Sequence, residues 1–215
     1  MSITIYGRHT SYNVQKVLWL LDDLELGYKH IEFGSKPGDT ESTEFGKMNP
    51  MRKIPVLVDN DRAIWESSTI LRYLVSAYGS GAWVTKDAYQ RSLYERWMDW
   101  AQTIFEPTFV GVFWGYYRTP KELRDQRAIQ SSIDGCIKCL SKLDAQLNDK
   151  QYLVGEKLSL ADITTGVFLY RLLEIDLNIK LPDQVAGWYR RLRTSQGYQH
   201  WVMSDFSTLY GRLEY

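Results

Sequence analysis

A serine stands where the chain changes from a strand pattern to a helix pattern. Residues Ile3 to Tyr6 form a short strand-like run, and apolar residues recur at helical spacing from Val14 onward, which places Ser11 at the start of the first helix. Serine is preferred at helix N-termini, where its hydroxyl caps free backbone amides. The same position favours bound anions, because free N–H groups and the helix dipole attract negative charge. Ser11 is therefore either a helix cap or a hydrogen-bond donor to an anionic ligand.

A second stretch, Lys53-Ile54-Pro55, leads into an apolar run that predicts a strand. Proline lacks an N–H and suits the first residue of a strand. Bonds that precede proline also adopt the cis form, in about 5–6% of cases. A cis bond here would turn the backbone of Ile54 outward and leave its N–H and C=O free to pair with an extended peptide. The alternative is an ordinary strand start.

A third stretch, Trp65-Glu66-Ser67-Ser68, joins a predicted strand to a predicted helix. Ser67 or Ser68 can cap this helix, and Glu66 is stabilised by the helix dipole. The same groups also suit the head of an amino acid. Glu66 would bind its amine, while the hydroxyl and amide of Ser67 would bind its carboxylate.

The elements that carry these stretches alternate over the first 80 residues. The predicted segments are the strands Ile3–Tyr6 and Tyr28–Phe33, a helix between them, a short helix at Ser42–Lys47, a hairpin turning at Asn60-Asp61 and a helix that includes Ile70 and Tyr78. The order β-α-β, α, β-β-α predicts a four-stranded mixed sheet with helices on its faces and a parallel first pair of strands.

Strand patterns end at Gly79-Ser80-Gly81, and apolar stripes at helical spacing follow. The longest stripe runs from Ile129 to Leu147. The sequence therefore predicts an α/β domain over residues 1–80 followed by an all-helical domain over residues 88–215.

Composition and charge exclude several classes of protein. Lys and Arg number 26, as do Asp and Glu, so the basic surplus of a nucleic-acid-binding protein is missing. No run approaches the roughly 18 apolar residues of a membrane span, and no basic-then-apolar leader precedes the first strand. Two cysteines are too few for a disulfide scaffold, which favours a cytoplasmic protein. The three histidines have no partners at ligand spacing, so we predict no metal site.

Two further motifs are predicted to be structural. Cys136 and Cys139 have redox spacing but lie inside a helical stripe, whereas a redox pair needs the start of a helix. Ser159 with Asp162 three residues later is a variant of the capping box, so we expect Asp162 to be buried and hydrogen-bonded.

Four stretches in this order resemble the glutathione S-transferase family, in its serine-type, bacterial-like form. They are SYNVQKVLWLL, NPMRKIPVLVD, WESSTILRYL and LSLADI. Each is a weak signal alone, but together they stand at the separations of the family and cover nearly the whole chain. The resemblance implies a thioredoxin-like N-terminal domain that binds glutathione, a helical C-terminal domain and a homodimer.

The resemblance also implies roles for individual residues. Lys53 matches a polar residue that reaches the tripeptide; Ile54 and Pro55 match residues that pair with the cysteinyl part of glutathione; Glu66 and Ser67 match those that hold its γ-glutamyl end.

Ser11 matches the serine that stabilises the glutathione thiolate. Asn13 lies in the same turn and is a second candidate for this role. Tyr6 ends the first strand, where another branch of the family carries its catalytic tyrosine, but the sequence TSYN fits the serine type better.

The energy needed to ionise the glutathione thiol can be compared with the energy that a hydroxyl at a helix N-terminus supplies. A free thiol has a pKa of about 8.5, so half ionisation at pH 7 requires about 2 kcal/mol of stabilisation. A hydrogen bond to a charged group contributes about 1.5–3 kcal/mol and a helix N-terminus about 0.3–1 kcal/mol. One hydroxyl and one helix end therefore suffice without a general base.

The resemblance thus implies a glutathione transferase that activates the glutathione thiolate for attack on apolar electrophiles, with glutathione as co-substrate and no other cofactor. We expect the electrophile to lie between the domains, in a pocket lined by His9, Phe109, Phe113 and Trp114. Glutathione-dependent peroxide reduction, isomerisation or dehalogenation stays open, as does a non-catalytic binding module with the same fold.

Overall fold

The computed structural model describes residues 2–214, which form two compact units. The first unit comprises residues 2–84 and 195–204, and the second comprises residues 85–194 and 205–214. The sequence indicated one continuous helical domain over residues 88–215. The structure instead groups residues 195–204, here called the 195–204 segment, with the first unit.

A four-stranded mixed sheet lies at the centre of the first unit, as predicted. Its strands are β1 (Ile3–Tyr6), β2 (Tyr28–Ile31), β3 (Val56–Asp59) and β4 (Arg62–Trp65), in the order β2-β1-β3-β4. β1 pairs parallel with β2 and antiparallel with β3, and β3 pairs antiparallel with β4. The turn between β3 and β4 contains Asn60 with a φ of 56°, a left-handed conformation that asparagine tolerates.

Three helices complete the first unit. They are α1 (Tyr12–Asp23), α2 (Thr43–Met48) and α3 (Ser67–Tyr78), with single 3₁₀ turns at Asp39–Glu41 and Gly81–Trp83. α1 contacts both α3 and the π-helical turn Tyr198–Val202 of the 195–204 segment. Because α1 is covered on both sides, even its polar residues Gln15 and Lys16 are buried.

Two adjacent carboxylates at the end of α1 hold the 195–204 segment. Asp23 accepts hydrogen bonds from the Ser195 hydroxyl (2.9 Å) and the Gly197 N–H (3.3 Å). Asp22 accepts one from the Trp201 indole (2.8 Å). A Cβ at Gly197 would lie 2.5 Å from the backbone oxygen of Trp19, so only glycine permits this close approach. These contacts explain why the segment belongs with a helix far away in the sequence.

The second unit is helical, as predicted, and its first helix begins at Ala88. Its helices are α4 (Ala88–Trp100), α5 (Glu106–Val112), α6 (Gln126–Gln146), α7 (Leu160–Glu174) and α8 (Asp183–Leu192), with π-helical turns at Ala101–Phe105 and Phe113–Arg118 and 3₁₀ turns at Lys121–Leu123 and Ser207–Leu209. Within residues 2–214, no helix is both long and apolar enough to cross a membrane.

The first π-helical turn lies directly before Pro107. Proline has no N–H to donate and crowds the preceding turn of an α-helix. The chain passes this position with one wider turn, Ala101–Phe105, and then resumes regular α-helix. The irregularity of this helix therefore lies in the turn that precedes Pro107.

Asp162 closes the N-terminus of α7 from within the core, as predicted. Its carboxylate accepts from the backbone N–H and hydroxyl of Ser159 (2.9 and 2.7 Å), from the Leu153 N–H (2.8 Å) and from the Trp188 indole (2.9 Å). Burial nevertheless outweighs these bonds and raises the pKa of Asp162 to about 6.

Candidate active site

A cleft in the first unit brings together residues from three separate stretches of the sequence. Its volume is about 200 Å³, and it is lined by Asn13, Asn49, Lys53, Ile54, Pro55, Glu66 and Ser67. Six of these seven residues were selected from the sequence alone. They come from the start of α1, the turn before β3 and the junction of β4 with α3.

The turn before β3 is held by the buried side chain of Asn49. Its amide donates to the backbone oxygen of Lys53 (2.7 Å), and its carbonyl accepts from the N–H of Met51 (2.9 Å). The Ile54–Pro55 peptide bond is cis. Among residues 2–214, the N–H and C=O of Ile54 take part in no hydrogen bond, so both groups are available to an extended peptide.

The junction of β4 with α3 is strained at Glu66. Its φ of 69° and ψ of 116° lie in a region that residues other than glycine seldom occupy. The Glu66 carbonyl accepts the first helical bond, from the Ile70 N–H (2.9 Å), and Ser67 is the first residue of α3. This conformation places an exposed carboxylate beside the free backbone amides at the start of a 12-residue helix.

Ser11 occupies the N-cap position of α1, but its hydroxyl does not cap the helix. Its backbone is extended, with φ −88° and ψ 119°, and its carbonyl accepts the first helical bond, from the Gln15 N–H (2.9 Å). Its side chain makes no capping hydrogen bond and is half-buried. Of the two roles that the sequence left open, capping is therefore wrong for this side chain. Ser11 itself is outside the set of residues that line the cleft, two positions before Asn13.

Asn13 connects the start of α1 with the start of α3. Its side-chain oxygen accepts from the ammonium group of Lys16 (2.8 Å) and from the hydroxyl of Ser67 (3.2 Å). Because two donors converge on this oxygen, the amide N–H groups remain for a ligand in the cleft.

The loop between β1 and α1 is fixed by β2 and the residues that follow it. The Arg8 guanidinium donates to the backbone oxygen of Gly34 (2.9 Å). The backbone N–H of His9 donates to the Glu32 carboxylate (3.1 Å), and the His9 ring lies at the same distance from it. Burial by itself raises the pKa of Glu32, but the bonds from His9 and Ser35 outweigh it and hold the pKa below its ordinary value.

The sequence and the structure both match known proteins along most of the chain. Residues 5–82 match the N-terminal domain of glutathione S-transferases, and residues 98–196 match the C-terminal domain. Glutathione S-transferase GstB of Escherichia coli K12 is 36% identical over 208 residues, which cover 95% of this chain and 100% of the relative. The chain belongs to the glutathione S-transferase family.

Solved structures of the family show the same fold. The theta class glutathione S-transferase of Xanthomonas axonopodis pv. citri, solved with glutathione bound, superposes with a TM-score of 0.87 at 35% identity over 94% of this chain and 98% of its own. The Bombyx mori glutathione transferase BmGSTD1 has a TM-score of 0.86 at 24% identity over 97% and 96% of the two chains. The predicted family and the predicted fold, a thioredoxin-like domain followed by a helical domain, are confirmed.

The aromatic residues predicted to line a second pocket of this glutathione S-transferase have different surroundings. Phe109 and Phe113 are 0% and 1% exposed, and Phe109 packs against Phe168 with ring centroids 4.8 Å apart. Both are core residues of the second unit and present no surface to a ligand in this structure. Trp114 is half-buried and is covered by the Arg118 guanidinium, 3.8 Å from its ring centroid. His9 is exposed in the loop described above.

The two cysteines at redox spacing are core residues of the second unit. Cys136 and Cys139 are free and buried in α6, and burial raises the pKa of the Cys136 thiol to about 11. These thiols are protonated at neutral pH and shielded from reagents. In the part of the chain that the structure describes, no group of three or more His, Cys, Asp or Glu is placed to hold a metal ion.

Sequence analysis missed Asn49 as a member of the cleft. Its side chain acts through backbone groups of its own turn, and the only local signal was the Asn-Pro pair, which marks a turn without showing what the side chain does.

Proposed function

We propose that the cleft binds glutathione and that the start of α1 holds its sulfur as a thiolate for attack on an apolar electrophile. The observation that supports this most directly is the meeting of Asn13, Lys53, Ile54, Glu66 and Ser67 in one cleft of about 200 Å³. The chain belongs to a family named for this chemistry, and a relative 35% identical has been solved with glutathione bound.

The tripeptide is bound along the cleft by its backbone and its charged γ-glutamyl end. The free N–H and C=O of Ile54 pair with the cysteinyl residue as neighbouring strands do. The exposed carboxylate of Glu66 binds the amino group. The amide of Ser67 at the start of α3 binds the carboxylate, and the Ser67 hydroxyl turns from Asn13 to donate to it as well. Lys53, exposed at the rim, adds a cation for the remaining carboxylate.

The sulfur is stabilised by Ser11, with Asn13 as a second donor. The Ser11 hydroxyl is free of a capping role. Asn13 lines the cleft, and because its side-chain oxygen accepts from Lys16, its amide N–H groups are left to donate to the sulfur. A charge-assisted hydrogen bond of about 1.5–3 kcal/mol lowers a thiol pKa by about 1–2 units. This brings glutathione into the thiolate form near neutral pH.

The reaction forms a carbon–sulfur bond. The thiolate supplies the electron pair to an electrophilic carbon, and the leaving group departs with the pair of the bond that breaks, or, in an addition, the neighbouring atom takes up the charge and then a proton. Glutathione is consumed as a co-substrate. We further propose that the enzyme is a homodimer, which family resemblance supports. We also propose that it is cytoplasmic, which the two unpaired cysteines support.

The test compares two serines that both stand at helix N-termini. Ser11 lies at the N-cap of α1 without capping it, whereas the Ser42 hydroxyl caps α2 by accepting from the Phe45 N–H (3.2 Å). Thiolate absorbance of the glutathione complex is titrated with pH for wild type, Ser11→Ala and Ser42→Ala. Turnover with a chromogenic aryl halide is measured alongside.

We expect Ser11→Ala to raise the pKa of bound glutathione by about 1–2 units and to leave the free energy of unfolding nearly unchanged. Ser42→Ala should do the opposite, losing about 1 kcal/mol of stability with the thiol pKa unaltered. A wild-type complex with no thiolate near neutral pH, or equal titrations for wild type and Ser11→Ala, would contradict the proposed role of Ser11.

A further inference from the structure

A buried glutamine of α1 is hydrogen-bonded to the loop that carries Ser11. Gln15 is in the first turns of α1 and is 0% exposed. Its backbone N–H donates to the carbonyl of Ser11 (2.9 Å), and its side-chain amide donates to the carbonyl of His9 (2.8 Å). One residue therefore holds two carbonyls of the loop, on either side of Thr10.

The same amide also binds the 195–204 segment. Its second N–H donates to the hydroxyl of Ser204 (3.1 Å), and that hydroxyl donates in turn to the carbonyl of Trp201 (2.8 Å). A continuous chain of hydrogen bonds thus runs from the loop at the cleft, through Gln15, to a segment almost 190 positions later in the sequence.

The orientation of the Gln15 amide is set by its neighbours. The His9 carbonyl is only an acceptor, so it requires the N–H side of the amide. The Gln15 side-chain oxygen is buried without a hydrogen-bond partner among the residues that the structure describes. An apolar side chain would avoid that unsatisfied oxygen. The amide nevertheless donates to both His9 and Ser204, and an apolar side chain could make neither of these bonds.

We propose that Gln15 is a positioning residue that fixes the Ser11 loop against the 195–204 segment and thereby sets the distance from the Ser11 hydroxyl to the bound sulfur. This inference rests on the proposed function of Ser11. The His9 peptide is held from both sides, with its N–H on Glu32 and its C=O on Gln15. Without Gln15 the second restraint is lost, and the serine two residues later is no longer confined to one place.

The test uses Gln15→Met, which keeps length and helix propensity but has no donor, and Ser204→Ala, which removes only the far end of the chain of bonds. The matched control is Ser195→Ala, which breaks the bond of the same segment to Asp23 at the other end of α1. Each variant is measured for the pKa of bound glutathione by thiolate absorbance, for kcat and KM, for thermal stability, and for hydrogen exchange of the Ser11 amide, which donates to the Arg8 carbonyl (3.0 Å).

We expect Gln15→Met to raise the thiol pKa by about one unit, with about a tenfold lower kcat, little change in KM for glutathione and faster exchange at Ser11. Ser204→Ala should shift the same quantities in the same direction by a smaller amount. Ser195→Ala should lower the melting temperature and leave the thiol pKa at the wild-type value.

Two outcomes overturn the proposal, and they are distinct. If wild type forms the thiolate but Gln15→Met and Ser204→Ala titrate like it, or if Ser195→Ala shifts the pKa as much as they do, Gln15 has no specific positioning role. If wild type forms no thiolate, the proposed function fails and the role of Gln15 fails with it. If Gln15→Met does not fold, the thiol pKa and the exchange rate of the Ser11 amide in Ser204→Ala decide whether Gln15 positions the loop.

Discussion

Replacing Glu66 by glycine separates the strain at this residue from its role in binding. Glu66 has φ 69° and ψ 116°, and residues other than glycine in such conformations cost about 1–3 kcal/mol. Glycine adopts positive φ without a steric penalty. The comparison that isolates the strain is Glu66→Gly against Glu66→Ala, because both lose the carboxylate and only the alanine variant keeps a Cβ.

The expected difference follows from two opposing quantities. Relief of strain stabilises the glycine variant by about 1–3 kcal/mol, while the greater freedom of glycine in the unfolded chain costs it about 0.4–1 kcal/mol. The glycine variant should therefore be more stable than the alanine variant by about 1.3 kcal/mol, the difference between the middles of the two ranges. For a chain of 215 residues this corresponds to a melting temperature higher by about 3–5 °C.

Thermal unfolding followed by circular dichroism measures the difference in stability between the two variants. Calorimetric titration with glutathione measures how strongly each variant binds it. Both variants lose the carboxylate proposed to bind the γ-glutamyl amine, so both should bind glutathione at least about tenfold more weakly. A glycine variant that melts at or below the alanine variant would show that Glu66 stores no usable strain. Unchanged glutathione affinity would remove Glu66 from the binding site.

Three other perturbations test the structure around the cleft and the helical unit. Asn49→Ala removes both hydrogen bonds of the turn before β3 and should raise KM for glutathione with little effect on kcat; a parallel fall in kcat would contradict this. Asp162 has a folded pKa of about 6, above the ordinary 3.8, so the native state binds more protons than the unfolded state between these values. The stability of wild type relative to Asp162→Asn should fall by about 2 kcal/mol as the pH rises from 4 to 6 in urea unfolding. Cys136 should react with iodoacetamide only as fast as the protein opens, because its thiol is buried and its pKa is raised to about 11; rapid labelling of the native protein would refute this.

The features predicted from the sequence are those encoded by local patterns. β1 was predicted at Ile3–Tyr6 and is found there, because alternation and β-branched residues are visible within four positions. The hairpin turn and the capping box were recognised for the same reason, since each depends on residues within three or four positions of one another. Apolar periodicity likewise identified the helices of the second unit.

The features missed depend on partners that are distant in the sequence. Nothing local distinguishes the 195–204 segment from the helical unit around it, because what places it with the first unit is the pair of carboxylates at Asp22 and Asp23. Phe109 and Phe113 were selected for an open pocket because aromatic content does not reveal which face a helix buries. Local reasoning also left two roles open for Ser11, since serine at an N-cap ordinarily bonds the helix, and only the structure shows that the cap is not made.

These observations together explain how an irregular loop can hold the Ser11 hydroxyl, the proposed donor to the thiolate, in a defined place. The loop between β1 and α1 contains one turn, closed by the Ser11 N–H on the Arg8 carbonyl (3.0 Å), and further bonds from outside the loop hold it in place. The Gly7 N–H binds the Ile31 carbonyl (3.1 Å), and Arg8 and His9 bind groups that follow β2. Gln15 then binds the loop from behind. The backbone of Ser11 is thus fixed on both sides, and its hydroxyl makes no bond to the helix. A hydroxyl of this kind at a helix N-terminus can donate to the proposed thiolate.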